Sequence, residues 1–451
     1  MQNGNDALSY GKIFRFWVPL AATWLMMAAE GPFLAAIIAR LPEPKFNLAA
    51  YNVAFSLALI VEAPIIMMMS ASTALVKDWA SYLKLRNFTT TLNAAITVFM
   101  LVLLIPPVFR GVAQGLIGLP PEVARLTHVA VALLLPWPGV IGYRRFYQGI
   151  LIRNHRTRWV AAGTVIRLST MTTTALLLYQ FTGVDGVMVG AAALSAGVTC
   201  EALVSRAMVH RILETMRRDH RSETAEPPPS YRAIAEFYYP LALTSIIALG
   251  SQPIATFFMG QSRHALESLA VFPVVNSLVF LFRSLGLSYQ EVVIALMNNH
   301  PRSYRRLRNF ALLLGLGVVG SLALIALTPA ADFWFERVSG LTGELSAFAH
   351  LPTQIMSLMP GLTVLLAFQR ALLMTARHTR PITAATVLEL TGIVITLLLT
   401  IQVYEMVGIT GAAIAFVVGR LLANLFLTVP LRGVPGKITE APPNTGEQRE
   451  G

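Results

Sequence analysis

The sequence contains few charged residues and a single cysteine. Asp, Glu, Lys and Arg make up 13% of its 451 residues, whereas a soluble domain carries about 25%. A chain this poor in charge is predicted to face lipid over much of its surface. Cys200 stands alone in an apolar segment, which excludes a disulfide framework and a cysteine metal cluster, and we assign it a packing role.

The sequence patterns of enzymes and of metal sites are also missing. The eight histidines are scattered, without the His, Asp or Glu spacing that a metal site needs. There is no P-loop, no nucleophile elbow and no pair of catalytic carboxylates. We predict a protein that is not an enzyme and has no cofactor, and we keep a polytopic membrane enzyme as the least favoured alternative.

Apolar residues dominate the chain instead. They make up 55% of it and fall into roughly twelve blocks of about 20 residues or more, each long enough to cross a hydrocarbon core of about 30 Å. The predicted fold class is an all-α polytopic membrane protein with twelve transmembrane helices. The predicted spans are 13–39, 47–76, 89–109, 123–152, 159–180, 184–209, 234–260, 266–298, 309–329, 345–375, 381–402 and 408–431.

The positive charge of the chain lies mostly on one side of these spans. The net charge is +12, which in a soluble protein would suggest a nucleic-acid partner. With the N-terminus assigned to the cytoplasm, most Lys and Arg residues fall in cytoplasmic segments, as the positive-inside rule predicts. We therefore expect no nucleic acid, a bacterial inner-membrane location, both termini in the cytoplasm, and contact of the basic loops with lipid headgroups.

The two halves of the chain repeat one another. The matching segments are 15–21 with 236–242, 81–88 with 303–310, 157–158 with 379–380, 164–165 with 386–387, and 183–186 with 408–411. The offset in sequence number is 221 or 222, and it is 225 for the last pair. Agreement of several segments in one register indicates an internal duplication.

The duplication gives a domain organisation. We predict an N-terminal six-helix bundle over 1–209, a cytoplasmic linker over 210–232, a C-terminal six-helix bundle over 233–432 and a disordered cytoplasmic tail over 433–451. Because six is even, both halves begin on the same side and are related by a pseudo-twofold axis along the membrane normal. Two such bundles can rock around a shared central cavity, which is alternating access.

Several ionisable residues lie inside the predicted spans. Each costs at least ~2.5–3.5 kcal/mol on insertion, so each indicates either a function or a partner. The five acids and six bases are nearly balanced, and structural ion pairs are therefore the alternative for any one of them. These residues are Glu30, Glu62, Glu201, Glu291, Glu389, Arg144, Arg145, Arg167, Arg283, Arg370 and Arg420.

The repeat places two of these charges at equivalent positions. When Ser56 is aligned with Ser277, Glu62 of the second span falls opposite Arg283 of the eighth. The two could pair in one state of a transporter and separate in another. The alternative is that each has a closer partner in its own bundle.

Prolines follow two of the acids closely. Pro32 lies two residues after Glu30, and Pro64 lies two residues after Glu62. Proline removes a backbone donor and frees a carbonyl, so each acid is a candidate proton or cation site as well as a neighbour of a hinge. The alternative is a kink that only shapes the helix.

The second half carries different polar groups at the first of these positions. Ser251 and Gln252 precede Pro253, where the first half has an acid before its proline. We include both as candidate solute-binding residues, and Pro253 as a candidate hinge.

Three arginines lie about two turns inside the ends of spans 4 and 10. Guanidinium groups bind carboxylate or phosphate through two parallel hydrogen bonds, so Arg144, Arg145 and Arg370 are candidate binding residues for an anionic solute. The alternative is that these side chains extend to the lipid headgroups.

The chain resembles the multidrug/oligosaccharidyl-lipid/polysaccharide (MOP) exporter superfamily, which includes the multidrug and toxic-compound extrusion (MATE) transporters. Within it the chain is most similar to the progressive ankylosis family. The similarity is carried by residues 15–20 (RFWVPL), 55–57 (FSL) leading to Pro64, 237–243 (FYYPLAL) and 253–254 (PI). It implies a rocker-switch exporter with a cavity lined by spans 1, 2, 7 and 8, and small anions such as pyrophosphate, citrate or nucleotides as solutes.

The chain departs from the multidrug members at the coupling position. Glu30 does not lie where those members carry an aspartate, and span 7 has Ser251 and Gln252 in place of an acid. Cation coupling of their kind is therefore not expected, although a coupling proton or cation is retained as a partner. We predict a secondary exporter of a small organic or phosphate-bearing solute, with an anion favoured, and a flippase for a lipid-linked headgroup as the alternative.

Overall fold

The structure is a computed structural model that describes residues 8–219, 229–297, 301–376 and 380–432. Within these ranges the regular elements are helices, apart from one isolated bridge between Arg263 and Val407. Twelve helices are long and apolar enough to span a membrane, which confirms the predicted fold class. The spans are Tyr10–Ala39, Pro44–Glu62, Trp79–Leu104, Pro121–Arg153, Arg158–Phe181, Gly186–Arg218, Tyr231–Gly260, Ala265–Leu296, Ser303–Leu327, Gly343–Thr375, Arg380–Val403 and Gly408–Leu431.

Spans 3 and 9 begin earlier than the apolar pattern indicates. Span 3 begins at Trp79, because the Asp78 side chain accepts a hydrogen bond from the Ser81 amide and caps the helix there. The helix therefore continues through Lys84 and Arg86, which lie before the apolar run. Hydropathy detects the part of a helix that lies in lipid, whereas capping decides where the helix starts.

Spans 1 and 7 are interrupted at equivalent positions. Span 1 consists of Tyr10–Ala28 and Glu30–Ala39, and span 7 of Tyr231–Leu249 and Ser251–Gly260. Each interruption lies three residues before a proline, Pro32 or Pro253. A proline has no amide proton for the carbonyl four residues earlier, so the helical ladder is weakened at this point.

Other spans also end or change direction in matching ways. Span 2 stops at Glu62, two residues before Pro64, and a short helix, Met68–Leu75, follows. Spans 3 and 9 are each followed by a π-helical turn, Gly111–Leu116 and Phe333–Val338. The duplicated sequence therefore encodes the irregular turns as well as the straight helices.

The contacts of two glycines correct the register at span 6, where the sequence match has an offset of 225. A Cβ on Gly186 would lie 3.1 Å from Ile38, and a Cβ on Gly408 would lie 3.2 Å from Met259. Ile38 and Met259 are themselves related by an offset of 221, so Gly186 and Gly408 are equivalent at an offset of 222. A glycine is needed here because the start of each sixth span packs closely on the end of the first.

Part of the predicted linker is helical. The helix His210–Asp219 continues span 6, with Leu213 buried and Arg217 lying 6.0 Å over the Trp79 ring. Apolar side chains at this spacing attach the helix to span 3, which a count of charged residues does not indicate. The rest of the linker up to residue 228 and the predicted tail 433–451 lie outside the described residues.

The spans form two halves, half one with spans 1–6 and half two with spans 7–12. The even-numbered spans are half or more buried, whereas the odd-numbered spans are largely exposed. Spans 1, 2, 7 and 8 make the interface between the halves, and spans 2 and 8 pack together along most of their length. Because the number of spans is even, span 1 begins and span 12 ends at the same face, which we call the terminal face; the other is the far face.

The interface at the terminal face is built twice. Trp17 of span 1 donates to the Ser288 hydroxyl at 2.9 Å and meets the Phe310 ring edge-on at 6.0 Å. Tyr238 of span 7 donates to the Pro64 carbonyl at 2.6 Å and meets the Phe88 ring at 5.6 Å. Trp17 and Tyr238 are equivalent at the repeat offset of 221, so each half contacts the other through the same surface, as a twofold axis requires.

The far face is closed by a second reciprocal set of contacts, the far-face latch. Arg40 donates to the carbonyls of Arg337 and Val338 at 2.7 and 2.8 Å. Gln261, the equivalent of Arg40 at the repeat offset of 221, donates to the Leu116 carbonyl at 2.9 Å.

The ion pair between Lys45 and Glu267 completes the latch. Its Nζ and Oε1 atoms lie 2.6 Å apart, and the two residues are 222 positions apart in the sequence. They are therefore the same position of the two halves with opposite charge, and the pair lies at the pseudo-twofold axis.

We predict that the closed far face can be fixed by a cross-link. With Cys200→Ala as background, Lys45→Cys and Glu267→Cys should be joined by a short bifunctional thiol reagent, because their parent side chains are in contact. A protease site inserted between the halves lets a denaturing gel report the result. The cross-linked protein should stay one band after cleavage, while Lys45→Cys alone should give two; two bands from the double variant would contradict the latch.

Candidate functional site

The buried charges of half one are centred on Glu201. This carboxylate of span 6 has a side chain only 1% exposed and pairs with Arg144 of span 4. Gln148 donates to its Oε1 at 3.0 Å, and the Arg167 Nε lies 3.4 Å from Oε2. Arg167 also pairs with Glu30 of span 1. The result is a continuous chain of charges across four spans.

Small residues allow these helices to approach closely enough for this contact. A Cβ on Gly163 of span 5 would lie 3.5 Å from the Glu201 side chain. A Cβ on Gly197 of span 6 would lie 3.0 Å from the Arg167 carbonyl. Close helix packing through glycine is common in membrane proteins, where apolar burial does not itself hold helices together.

Two charged residues of half one, Glu62 and Arg145, do not belong to this chain of charges. Glu62, at the end of span 2, is 5% exposed, and within the described residues its carboxylate has no hydrogen bond or ion pair. The guanidinium groups of Arg144, Arg145 and Arg167 lie near enough for their charges to act on it. Arg145 itself contacts only the Met69 sulfur, at 3.7 Å, among the polar atoms of the described chain. Glu62 is therefore a buried acid without a hydrogen bond or ion pair of its own in the described chain.

Half two has its own group of charges around Thr363. Arg420 of span 12 donates from Nε to Glu389 Oε1 at 2.8 Å. Its Nη1 lies 3.5 Å from the Thr363 hydroxyl, which Arg283 Nε approaches to 3.3 Å. Span 10 thus brings a span 8 guanidinium and a span 12 guanidinium to the same hydroxyl.

Arg370 adds a third guanidinium to this group. It donates to the Thr386 hydroxyl of span 11 at 3.1 Å, and the charges of Arg420 and Glu389 act on it. The same two charges act on Arg283. We call these four residues, Arg283, Arg370, Glu389 and Arg420, the arginine cluster.

The two halves differ in their balance of buried charge. In half one, the acids Glu30, Glu62 and Glu201 face Arg144, Arg145 and Arg167, which leaves no net charge. In half two, three guanidinium groups face one carboxylate, a net charge of +2 within the described residues. An excess of buried positive charge is costly unless an anion neutralises it.

The structure separates the residues that the sequence pairs across the halves. Glu62 and Arg283 form no ion pair in the described chain; each lies among the charges of its own half. In this conformation, therefore, Glu62 and Arg283 do not pair across the interface, and the charges nearest to each belong to its own half, as in the alternative given above. The apparent equivalence of Glu62 and Arg283 reflects the twofold axis, which relates their positions without bringing their side chains into contact.

The other candidate residues are distributed over both halves. Arg144 is buried in the pair with Glu201, so it does not extend to the headgroups. Ser251 and Gln252 are half-buried at the break in span 7, and their side chains have no hydrogen bond in the described part of the chain. Glu291 is exposed near the terminal face, away from both groups of charges.

Sequence reasoning did not single out the residues that organise these clusters. Glu201, Arg167, Glu389 and Arg420 were grouped with the other intramembrane charges. The signal was present, because Arg167 and Glu389 are equivalent at the repeat offset of 222. At this pair of equivalent positions each charge forms an ion pair within its own half, Arg167 with Glu30 and Glu389 with Arg420.

Comparison with known proteins identifies the fold. No protein-family model and no curated protein matches the sequence. Among solved structures, a lipid II flippase, MurJ, in an inward closed conformation has a TM-score of 0.71 at 12% identity, over 94% of this chain and 90% of that one. An inward-facing MATE transporter of the MOP superfamily has a TM-score of 0.66 at 14% identity, over 93% and 96%.

A third solved structure is a MOP superfamily transporter from Pyrococcus furiosus, described as having a binding pocket of reverse polarity. Its TM-score is 0.59 at 13% identity, over 95% of this chain and 96% of that one. At these identities the comparisons establish a MATE-like fold for the chain. The finer resemblance to the progressive ankylosis family stays a prediction.

We predict that Glu201 is essential for stability. Glu201→Gln should lower the free energy of unfolding by about 3–5 kcal/mol, because it leaves Arg144 and Arg167 buried without their shared counter-charge. Thermal unfolding of the purified protein in detergent measures this change. The control is Glu344→Gln, since Glu344 is 68% exposed and lies 3.7 Å from Lys45, and a surface pair contributes about 0–1 kcal/mol. Equal effects of the two substitutions would contradict a structural role for the buried chain of charges.

Proposed function

We propose that the protein is a secondary active transporter that exports a small anionic organic or phosphate-bearing solute by alternating access. One observation carries this proposal, the net charge of +2 on the arginine cluster of half two. Arg283 and Arg420 meet at the Thr363 hydroxyl, and the charges of Arg420 and Glu389 also act on Arg370. Guanidinium groups bind carboxylate or phosphate through charge-assisted hydrogen bonds. In this proposal Arg283 and Arg370 bind the solute, and Glu389 holds Arg420 in place.

The fold and the charge arrangement both support this function. Solved proteins of the same fold are transporters or flippases. One of them is described as having a binding pocket of reverse polarity that suggests a different function. In this chain the buried charges have opposite sign at equivalent positions of the two halves, Arg167 with Glu389 and Glu62 with Arg283.

The reciprocal interface supports alternating access. The far-face latch joins the two halves through hydrogen bonds and one ion pair, all of which must break for that face to open. Because the halves meet through matching contacts at both faces, they can rock against each other as bodies, so that one face opens as the other closes. The prolines Pro32, Pro64 and Pro253 lie at helix breaks within this interface and are proposed as its hinges.

We place the terminal face in the cytoplasm of a bacterial cell. Basic side chains cluster there, with Lys84 over the Tyr231 ring at 5.8 Å and Arg153 donating to the Thr73 carbonyl at 3.0 Å. The positive-inside rule supports this orientation, with the two bundles 1–209 and 233–432 and both chain ends inside.

Exchange in proteoliposomes tests the proposed solute. Vesicles loaded with unlabelled pyrophosphate, citrate or ATP should take up the matching labelled anion. Arg283→Gln should raise the KM of this exchange about tenfold or more, since a hydrogen bond to a charged group contributes ~1.5–3 kcal/mol. The control is Arg305→Gln, an exposed arginine on span 9, which should leave the KM unchanged.

Two results would overturn this proposal. One is an Arg283→Gln protein that keeps the KM of the parent. The other is a parent protein that exchanges none of the three anions although it is folded, as judged by its melting temperature. Because Arg283→Gln removes an uncompensated charge, its melting temperature should not fall, so a transport defect is not explained by unfolding.

We further predict that Glu62 couples transport to a proton or cation gradient. It is the buried carboxylate of half one that has no ion pair in the described chain, and Glu62→Gln keeps its shape without its charge. The variant should retain anion exchange but lose the uptake that an imposed proton or sodium gradient drives. Glu291→Gln, an exposed acid of span 8, is the matched control. Gradient-driven uptake by Glu62→Gln at the parental rate would remove Glu62 from this role.

A flippase for a lipid-linked headgroup is the second candidate function. One solved structure of this fold is a lipid II flippase. Movement of a fluorescent lipid-linked headgroup across the vesicle membrane, with no exchange of the three anions, would favour this candidate over the first.

A further inference from the structure

Half two has an apolar groove on its outer side, between spans 9, 10 and 12. Its volume is about 890 Å³. The walls include Leu312 and Leu316 of span 9, Leu365 of span 10 and Leu421 of span 12, with side chains between 39% and 71% exposed. These residues would lie at the depth of the lipid hydrocarbon, so the groove is open to the bilayer and separate from the interface between the halves.

One end of the groove is polar and basic. Arg308 near the start of span 9 and Arg432 after span 12 both line it, together with Tyr304 and Thr428. Both arginines are exposed. Because span 9 starts and span 12 ends at the terminal face, this end lies where lipid headgroups meet water.

The length of the groove corresponds to one leaflet. Tyr304 and Val319 line its two ends on span 9, and a helix rises about 1.5 Å per residue, so the groove is about 22 Å long, of which about 17 Å lies beyond the basic end at Arg308. Half of a hydrocarbon core of about 30 Å is about 15 Å. An acyl chain that starts at the headgroup level of the terminal face would therefore end near the far end of the groove.

The corresponding wall of half one is filled. Tyr147 occupies the position equivalent to Gln369, at an offset of 222. Its ring is buried, and Arg206 lies 5.4 Å above it. Half two has the smaller Gln369, which lines the groove. The groove is therefore a feature by which the second copy has diverged from the first, and it is not a consequence of the duplicated fold.

We propose that this groove binds an anionic phospholipid of the leaflet at the terminal face. One acyl chain lies along the leucines of spans 9, 10 and 12, and the phosphate is held by Arg308 and Arg432. The positive charge at one end and the apolar walls select an amphiphile with an anionic head rather than a zwitterionic one. This inference is independent of the solute proposed for the arginine cluster, because the arginine cluster side chains do not line the groove.

The headgroup end is tested with two lipids that share the same chains. Purified protein in detergent is titrated with palmitoyl-oleoyl phosphatidylglycerol or with palmitoyl-oleoyl phosphatidylcholine, and bound lipid is counted by native mass spectrometry. The protein should prefer phosphatidylglycerol. Arg308→Gln and Arg432→Gln should each reduce this preference about fivefold, which corresponds to the ~1 kcal/mol of a basic side chain near an anionic surface.

The matched control is Arg305→Gln, one turn before Arg308 on the same helix and exposed, but not part of the groove. It should keep the preference of the parent. If Arg305→Gln lost the preference for phosphatidylglycerol to the same extent, the lipid would be attracted by the basic surface in general. If the parent protein bound the two lipids equally, the groove would have no site for an anionic headgroup. Either result overturns the proposal.

The apolar end has its own test. Leu316→Trp places a larger side chain in the groove and should reduce bound phosphatidylglycerol, whereas Leu313→Trp should not, since Leu313 is similarly exposed at 63% but does not line the groove. Glycerol 3-phosphate, which has the head without the chains, should not raise the melting temperature. Unchanged binding in Leu316→Trp, or stabilisation by glycerol 3-phosphate equal to that by the lipid, would also overturn the proposal. These assays measure no transport, so they are decided separately from the anion exchange.

Discussion

The cost of burying charge in a membrane protein governs the interior of this structure. An intramembrane ion is costly unless it is paired or hydrogen-bonded, because lipid hydrocarbon contains no hydrogen-bonding groups and no counter-ions. Half one balances its buried acids and bases, and four of them are joined in the chain from Glu30 by way of Arg167 and Glu201 to Arg144. In half two, Glu389 is the one carboxylate of the described residues that acts on the three clustered guanidinium groups. The buried charges of half one thus sum to zero, whereas those of the arginine cluster sum to +2.

The duplication supplies the frame on which this difference is built. Trp17 and Tyr238, the breaks at Ala29 and Gly250, and the ion pair between Lys45 and Glu267 all obey one twofold relation. Reciprocal contacts of this kind hold the halves together at both faces, and each face is held by equivalent residues of both halves. The two proposed binding sites lie where the copies differ, in the arginine cluster and in the groove, where half two has Gln369 and half one has Tyr147.

Much of the fold was predictable, because hydropathy over about 20 residues reports lipid burial directly. The twelve spans, their division into two sets of six and the prolines at the helix breaks all follow from local composition. The starts of spans 3 and 9 and the helix after span 6 were missed. Hydropathy does not detect the local cap that Asp78 forms with Ser81, and the burial of Leu213 depends on neighbouring helices. The register at Gly186 was wrong for a similar reason. A short match of letters cannot show that both glycines are placed by contact with the end of the first span.

The candidate site was also predictable only in part. Hydropathy and the repeat are enough to specify which charges enter the membrane, and they place Arg167 with Glu389, and Glu62 with Arg283, at equivalent positions of opposite sign. The partners of these charges can be read only from the folded chain: Glu30 with Arg167, Arg144 with Glu201, and Glu389 with Arg420. The physical reason is that an ion pair needs contact within about 4 Å. That contact depends on helix rotation and on close approach at residues such as Gly163 and Gly197, which hydropathy and repeat spacing do not specify.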